Sequence, residues 1–142
     1  MRTFATITIT LLSFSVFSQQ KAAFIPRPAI SFFFNGKSAD AQKALSKSDT
    51  LIEVKAILQG EQKKKMPDVT FFITEVELSL FRNDKKIAGI VLPEGKGSFA
   101  PLAKLANLSD KYQITVRRIQ FLNGGVYQDI GMSDVVKNYT IE

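Results

Sequence analysis

The 142 residues contain no cysteine, histidine or tryptophan. Without cysteine there is no disulfide to stiffen the fold and no thiol nucleophile. Without histidine there is no imidazole base, and the usual zinc sites lose their main ligands. The lack of tryptophan weakens a sugar-binding platform. Nor does any stretch reach the ~20 apolar residues that a membrane-spanning helix needs. No cofactor or metal is expected from what remains.

What is present begins with an apolar run from Phe4 to Phe17 behind Met1 and Arg2, ending in Val16-Phe17-Ser18 before Gln19-Gln20. A charged start, a short apolar core and small residues at the cleavage positions make a secretory signal peptide over residues 1–18. The working protein is then expected to begin near Gln19 and to be periplasmic or secreted. Its 124 residues suffice for one domain with its own core. An exported chain without disulfides must hold together by packing and strand pairing, which favours a bacterial envelope protein over a eukaryotic secreted one. Losing Arg2 leaves 18 basic against 13 acidic side chains, a net of +5. That balance suits anionic partners, and export argues against nucleic acid.

Pro26 and Pro28 make residues 19–28 a flexible lead or an edge segment. Ala29 to Phe34, closed by Asn35-Gly36, reads as a strand. Between Ser38 and Lys47, the spacing of Ala41, Ala44 and Leu45 behind two capable N-caps predicts a short helix or helical turn. From Thr50 onward the signal is strand. Leu51 to Leu58 is one. In the long run from Val69 to Phe81, the apolar parity switches around Thr74-Glu75, which implies a bulge or a strand that passes from one packing environment to another, as at a sandwich corner. Arg82-Asn83-Asp84-Lys85 is a turn. Lys86 to Leu92 returns antiparallel, and Pro93 to Gly97 breaks the sheet. Ser98 caps a helix through Leu108 whose apolar face includes Leu102 and Leu105. Tyr112, Ile114 and Val116 share one parity and Ile119 and Phe121 the other, placing a second bulge near Arg117-Arg118. Asn123-Gly124-Gly125 turns into Val126 to Ile130, and Val135 to Ile141 is the last strand. The sum is a mainly β chain, an antiparallel immunoglobulin-like β-sandwich of about seven strands with one or two short helices over residues 29–142.

Chemistry-bearing patterns are few. Glu75 and Glu77 share a strand face and read as solvated carboxylates, with Ca²⁺ binding or glycoside hydrolysis as the functional uses of such a pair. Ser46-Lys47-Ser48 carries no motif beyond a chance dyad, and the glycine turns lack phosphate-loop spacing. Lys63-Lys64-Lys65 reads as a solvated loop between strands or, alternatively, as an anionic contact surface. Arg117 and Arg118 are consecutive strand residues, so one points inward unless the bulge turns it out; a surface ion pair is their plain explanation. These five cations are the candidate partner-binding residues. The phenylalanines are assigned to core packing.

From Thr50 to Ile141 the chain resembles the C-terminal immunoglobulin-like domain of the gliding-motility protein GldM, a periplasmic component of the Bacteroidetes type IX secretion machinery. The likeness rests on Phe72-Ile73-Thr74-Glu75-Val76-Glu77-Leu78-Ser79-Leu80, on Gly95-Lys96-Gly97-Ser98-Phe99 leading to Leu102 and Leu105, and on Tyr112 to Ile119. It continues through Asn123-Gly124-Gly125, Ile130-Gly131 and the final strand. Arg117-Arg118 stands where that family has an acidic pair, and Leu122-Asn123-Gly124-Gly125 replaces its Gly-Pro-Asp-Gly turn. The charge reversal argues against an identical partner. The resemblance implies a stand-alone envelope module that uses a similar sandwich to contact another envelope or periplasmic protein. Its alternative is a binding module for an anionic glycan or peptidoglycan. The signal-peptide reading has a direct test. Protein recovered from an envelope or culture fraction should give an N-terminal sequence starting at Gln19, and a chain retaining Met1 would refute it.

Overall fold

The computed structural model describes residues 24–142; the signal-peptide expectation falls outside them. Residues 24–28 have no regular secondary structure, and Pro26 and Pro28 are buried. The strands and helices that follow are β1 (Ala29–Phe34), β2 (Lys37–Ser38), β3 (Ala44–Leu45), β4 (Leu51–Ile57), α1 (Gly60–Lys65), β5 (Thr70–Arg82) and β6 (Lys85–Leu92). A 3₁₀ turn (Pro93–Gly95) then leads to β7 (Lys96–Ser98), α2 (Ala100–Leu105), β8 (Lys111–Asn123), β9 (Val126–Asp129) and β10 (Val135–Ile141). The strands form two sheets, one of four in the order β2-β1-β4-β7 and one of six in the order β3-β10-β8-β5-β6, with β9 also on β8. Alternating inward residues of both sheets pack into one apolar core, the arrangement of a β-sandwich.

The central pair is β5 with β8, antiparallel from Thr70↔Leu122 to Phe81↔Lys111. Its register runs Ile73↔Ile119, Glu75↔Arg118, Val76↔Val116, so Thr74 and Arg117 fall outside the ladder. This offset, expected from the parity switches, keeps Ile73, Val76, Val116 and Ile119 all buried although they change parity. Two tight hairpins frame the pair. Asn83 and Asp84 both take positive φ between β5 and β6, as do Gly124 and Gly125 between β8 and β9, which is the twist a two-residue hairpin needs.

In place of disulfides, aromatic rings join the sheets edge to face. Phe34 lies 5.3 Å from Tyr139 and 5.8 Å from Phe99, and Phe99 lies 5.3 Å from Tyr112, between ring centroids. Each such pair adds about 0.5–1.5 kcal/mol beyond its apolar burial. The Tyr139 hydroxyl donates to the Ala39 carbonyl at 3.1 Å, and burial pushes the Tyr139 and Tyr112 phenols up to about 12.

Two local expectations need correction. Residues 38–47 form no helix. They cross from one sheet to the other, pairing as β2 with β1 and as β3 in parallel with β10. Asp40 caps no helix: its carboxylate accepts the Phe32 N–H at 2.7 Å, while Ala39 and Leu45 are buried at separate points of the core. So short a segment gains little from helix formation alone, and sheet pairing outweighs it. The second helix stops at Leu105, short of Leu108, and Leu105 is exposed while Leu102 is buried. The stop has a cause. Arg82 Nη2 donates to the Leu105 carbonyl at 3.0 Å, and the buried Asp110 carboxylate accepts the Asn107 N–H at 2.8 Å.

Arg82 and Asp110 also meet directly, Nε donating at 3.0 Å and Nη2 at 2.8 Å. This clamp ties the end of β5 to the chain entering β8 and holds the Asp110 carboxyl below its ordinary value, chiefly through the Arg82 hydrogen bonds. A depressed carboxyl stabilises the fold above the unfolded value near 3.8 and loses that contribution as pH falls through the folded one. The two raised phenols act oppositely, so stability should also fall as pH rises past 10 toward 12. Urea unfolding should show both limbs. Asp110→Ala should cost about 2 kcal/mol at neutral pH and flatten the acid limb; an unchanged midpoint would contradict the clamp.

Candidate partner-binding groove

Where the chain passes from β6 through the 3₁₀ turn into β7, it changes sheets, and neither strand covers its neighbour fully. β7 pairs with β4 only at residues 51–53, so residues 54–57 have β1 on one side and no strand on the other. Likewise β6 pairs with β5 only from Val76 onward, leaving residues 70–73 of β5 paired with β8 alone. Between these two incomplete edges lies an open groove of about 670 Å³. Residues 53–57 of β4 and 71–74 of β5 all line it. Neighbouring side chains in a strand point to opposite faces, so a groove touching consecutive residues runs along strand edges and not over a sheet face.

The 3₁₀ turn closes one end of the groove. Gly95 sits there with positive φ, and a Cβ on it would stand 3.1 Å from Ile73 Cγ2 and 3.4 Å from the Val54 carbonyl oxygen. Only glycine therefore lets the crossover settle between β4 and β5. One wall carries an edge-to-face aromatic pair, Phe72 and Tyr127, with centroids 5.3 Å apart and both rings exposed. At the other end, Ala56, Ile57 and Phe71 are shared with a smaller hollow of about 280 Å³ that reaches Lys63 and Met66. The groove thus leads from the crossover to α1.

Charges along it are unevenly matched. Glu53 pairs with Lys55 at 3.2 Å, and Lys64 with Glu61 at 2.8 Å. Among the described residues, Lys63, Lys65, Lys96 and Glu94 have no ion-pair partner, which leaves a basic excess concentrated at α1. The lysine cluster, expected in a loop, forms the last turn of α1, where cations complement the helix carbonyl end. All three lysines are exposed, and Lys63 lines the smaller hollow that adjoins the groove.

The two arginines lie elsewhere and are neutralised. Both point outward, because the bulge at Arg117 keeps either from facing the core. Arg117 Nη2 donates to Glu77 at 2.6 Å and its Nε lies 3.9 Å from Glu75, while Arg118 Nε donates to Asp129 at 3.0 Å. Glu77 is held below its ordinary carboxyl range first by the Lys86 hydrogen bond and next by Ser79, with Arg117 adding to the effect. The Gly131 N–H, ahead of Arg118, does the same for Asp129. The Glu75 and Glu77 pair is thus part of an ion-pair network on the outer face of the larger sheet. Among the described residues, no three acidic side chains converge as a cation site, and no helix is long and apolar enough to cross a membrane.

Sequence reading missed the aromatic wall. Its signal was available in the parity of β5, where Phe72 falls in step with the exposed Thr70 and Thr74. Comparisons with family models, curated proteins and solved structures find no match for the chain. Gly95→Ala should lower stability by about 2 kcal/mol in urea unfolding and shift the amide resonances of Ile73 and Val54. Gly36→Ala, where a Cβ meets nothing within 4 Å, should cost less; equal losses would refute the close packing of the crossover.

Proposed function

We propose that the chain is an exported, non-enzymatic protein-interaction module of a bacterial cell envelope, an immunoglobulin-like sandwich of the kind found at the C-terminus of GldM. The observation that carries this reading is the groove between two incomplete strand edges, with an exposed aromatic pair on its wall. Exposed edges offer backbone donors and acceptors to another polypeptide, and exposed rings supply apolar contact at small entropic cost. The resemblance to GldM supports an envelope setting, and the replacement of that family's acidic pair by Arg117 and Arg118 supports a partner different from that family's own.

The anionic-glycan reading draws on Lys63, Lys64 and Lys65, which are exposed. It has less support, because Arg117 and Arg118 are already engaged by Glu77 and Asp129 and add little free positive charge. Affinity capture from envelope extract separates the two. The tagged mature protein should retain one protein in stoichiometric amount at high salt, and the exposed-site variant Tyr127→Asp should lose it while keeping its circular dichroism spectrum. Recovery of cell-wall glycan alone, released by salt, would overturn the protein-partner reading.

A further inference from the structure

Resting on that reading, we infer the form of the partner: an extended, acidic segment that adds as a short strand along the open edge of β4. The backbone geometry points to it. The Leu51 carbonyl accepts the Asn35 N–H at 3.0 Å on the β1 side, and the Thr50 carbonyl accepts the Phe99 N–H at 2.8 Å on the opposite side. Since successive residues of a strand direct their backbone groups to alternate sides, Val54 and Ala56 aim theirs away from β1, into the groove. Gly95 stands against the Val54 carbonyl, so Ala56 is the residue whose N–H and C=O face an incoming strand. The uncovered edge spans residues 54–57, about 13 Å of extended chain, enough for a short added strand.

The surroundings choose the side chains. An added strand alternates its side chains between the two sides of the groove. One set would meet Ile73 and Phe71 on the inner face of β5, which calls for apolar residues at every second position, while the exposed Phe72–Tyr127 pair lies on the opposite face, beside the other set. Past the α1 end of the groove, the adjoining hollow is lined by Lys63, and Lys65 is exposed on the same helix; neither has an ion-pair partner among the described residues. Lys55, by contrast, is already held by Glu53. Carboxylates at that end of the segment would complete the charge balance, and because the lysines are exposed their contribution would be screened by salt.

The test uses the folded mature protein and a displayed library of linear peptides, with hits remade synthetically and followed by fluorescence anisotropy and amide chemical shifts. Enriched peptides should alternate apolar and polar residues and carry Asp or Glu toward one end. They should shift the amides of residues 54–57 and 71–74. N-methylation of the peptide residue opposite Ala56 should weaken binding about tenfold. The double variant Lys63→Glu with Lys65→Glu should weaken it at low salt and leave it nearly unchanged at high salt. Enrichment of basic peptides, indifference to N-methylation at every peptide position, or shifts confined to other surfaces would overturn the inference. So would soluble peptidoglycan fragments that shift the groove amides when no peptide does. If no linear peptide binds while envelope capture still recovers a protein that Tyr127→Asp loses, strand addition fails and the interaction reading stands.

Discussion

Everything in this fold hangs on the ladder between β5 and β8. Each strand is thirteen residues long, and β6, β9 and β10 all attach to one or the other. A ladder of this length twists, and a strict alternation of faces along it would carry one half of its apolar residues out of the core. The offset at Thr74 and Arg117 resolves that conflict by shifting parity on both strands at the same level. The inner face stays apolar from Phe121 through Tyr112, and the polar residues left over at the offset turn outward. The ion-pair network of Glu75, Glu77, Lys86 and Arg117 is therefore a consequence of how the core is kept continuous.

The same ladder produces the groove. β5 extends past the point where β6 ends, because β6 leaves the larger sheet at Leu92 to supply β7 to the smaller one. One chain segment serving two sheets cannot cover the full length of either neighbour. The crossover needs glycine at position 95 to lie close against Ile73 and Val54, and below it the edges of β4 and β5 remain open. Open edges are a hazard for any β protein, and here they are short and flanked by charged side chains, a common protection against indiscriminate pairing. Those features also suit a selective docking site.

Much of this was legible in the sequence, for reasons that trace to period and turn chemistry. The parity changes at Ile73/Val76 and Val116/Ile119 pointed to the bulges, and the strand register decides for a bulge at Thr74 over a strand that changes packing environment. Asn83-Asp84 and Gly124-Gly125 announced their hairpins through the positive φ that those residues tolerate. The misread segments were those whose partner is distant in sequence. Residues 38–47 carry a helical spacing, yet their neighbours are Phe32 and β10, some hundred residues on in the latter case. Leu105 sits at an apolar helix position, yet the Arg82 and Asp110 clamp ends α2 beside it.

The residues alone settled the class of fold and the lack of thiol and imidazole chemistry, because alternation, turn types and composition are local properties. They named the candidate cations but could not separate them. Lys63, Lys64 and Lys65 differ from Arg117 and Arg118 only in what lies opposite, and that depends on strand register. Register puts Glu77 and Asp129 against the arginines and leaves Lys63 beside an open edge. The groove itself has no sequence signature. It exists because two sheets share one crossing strand, a fact of how distant segments pack that no local pattern encodes.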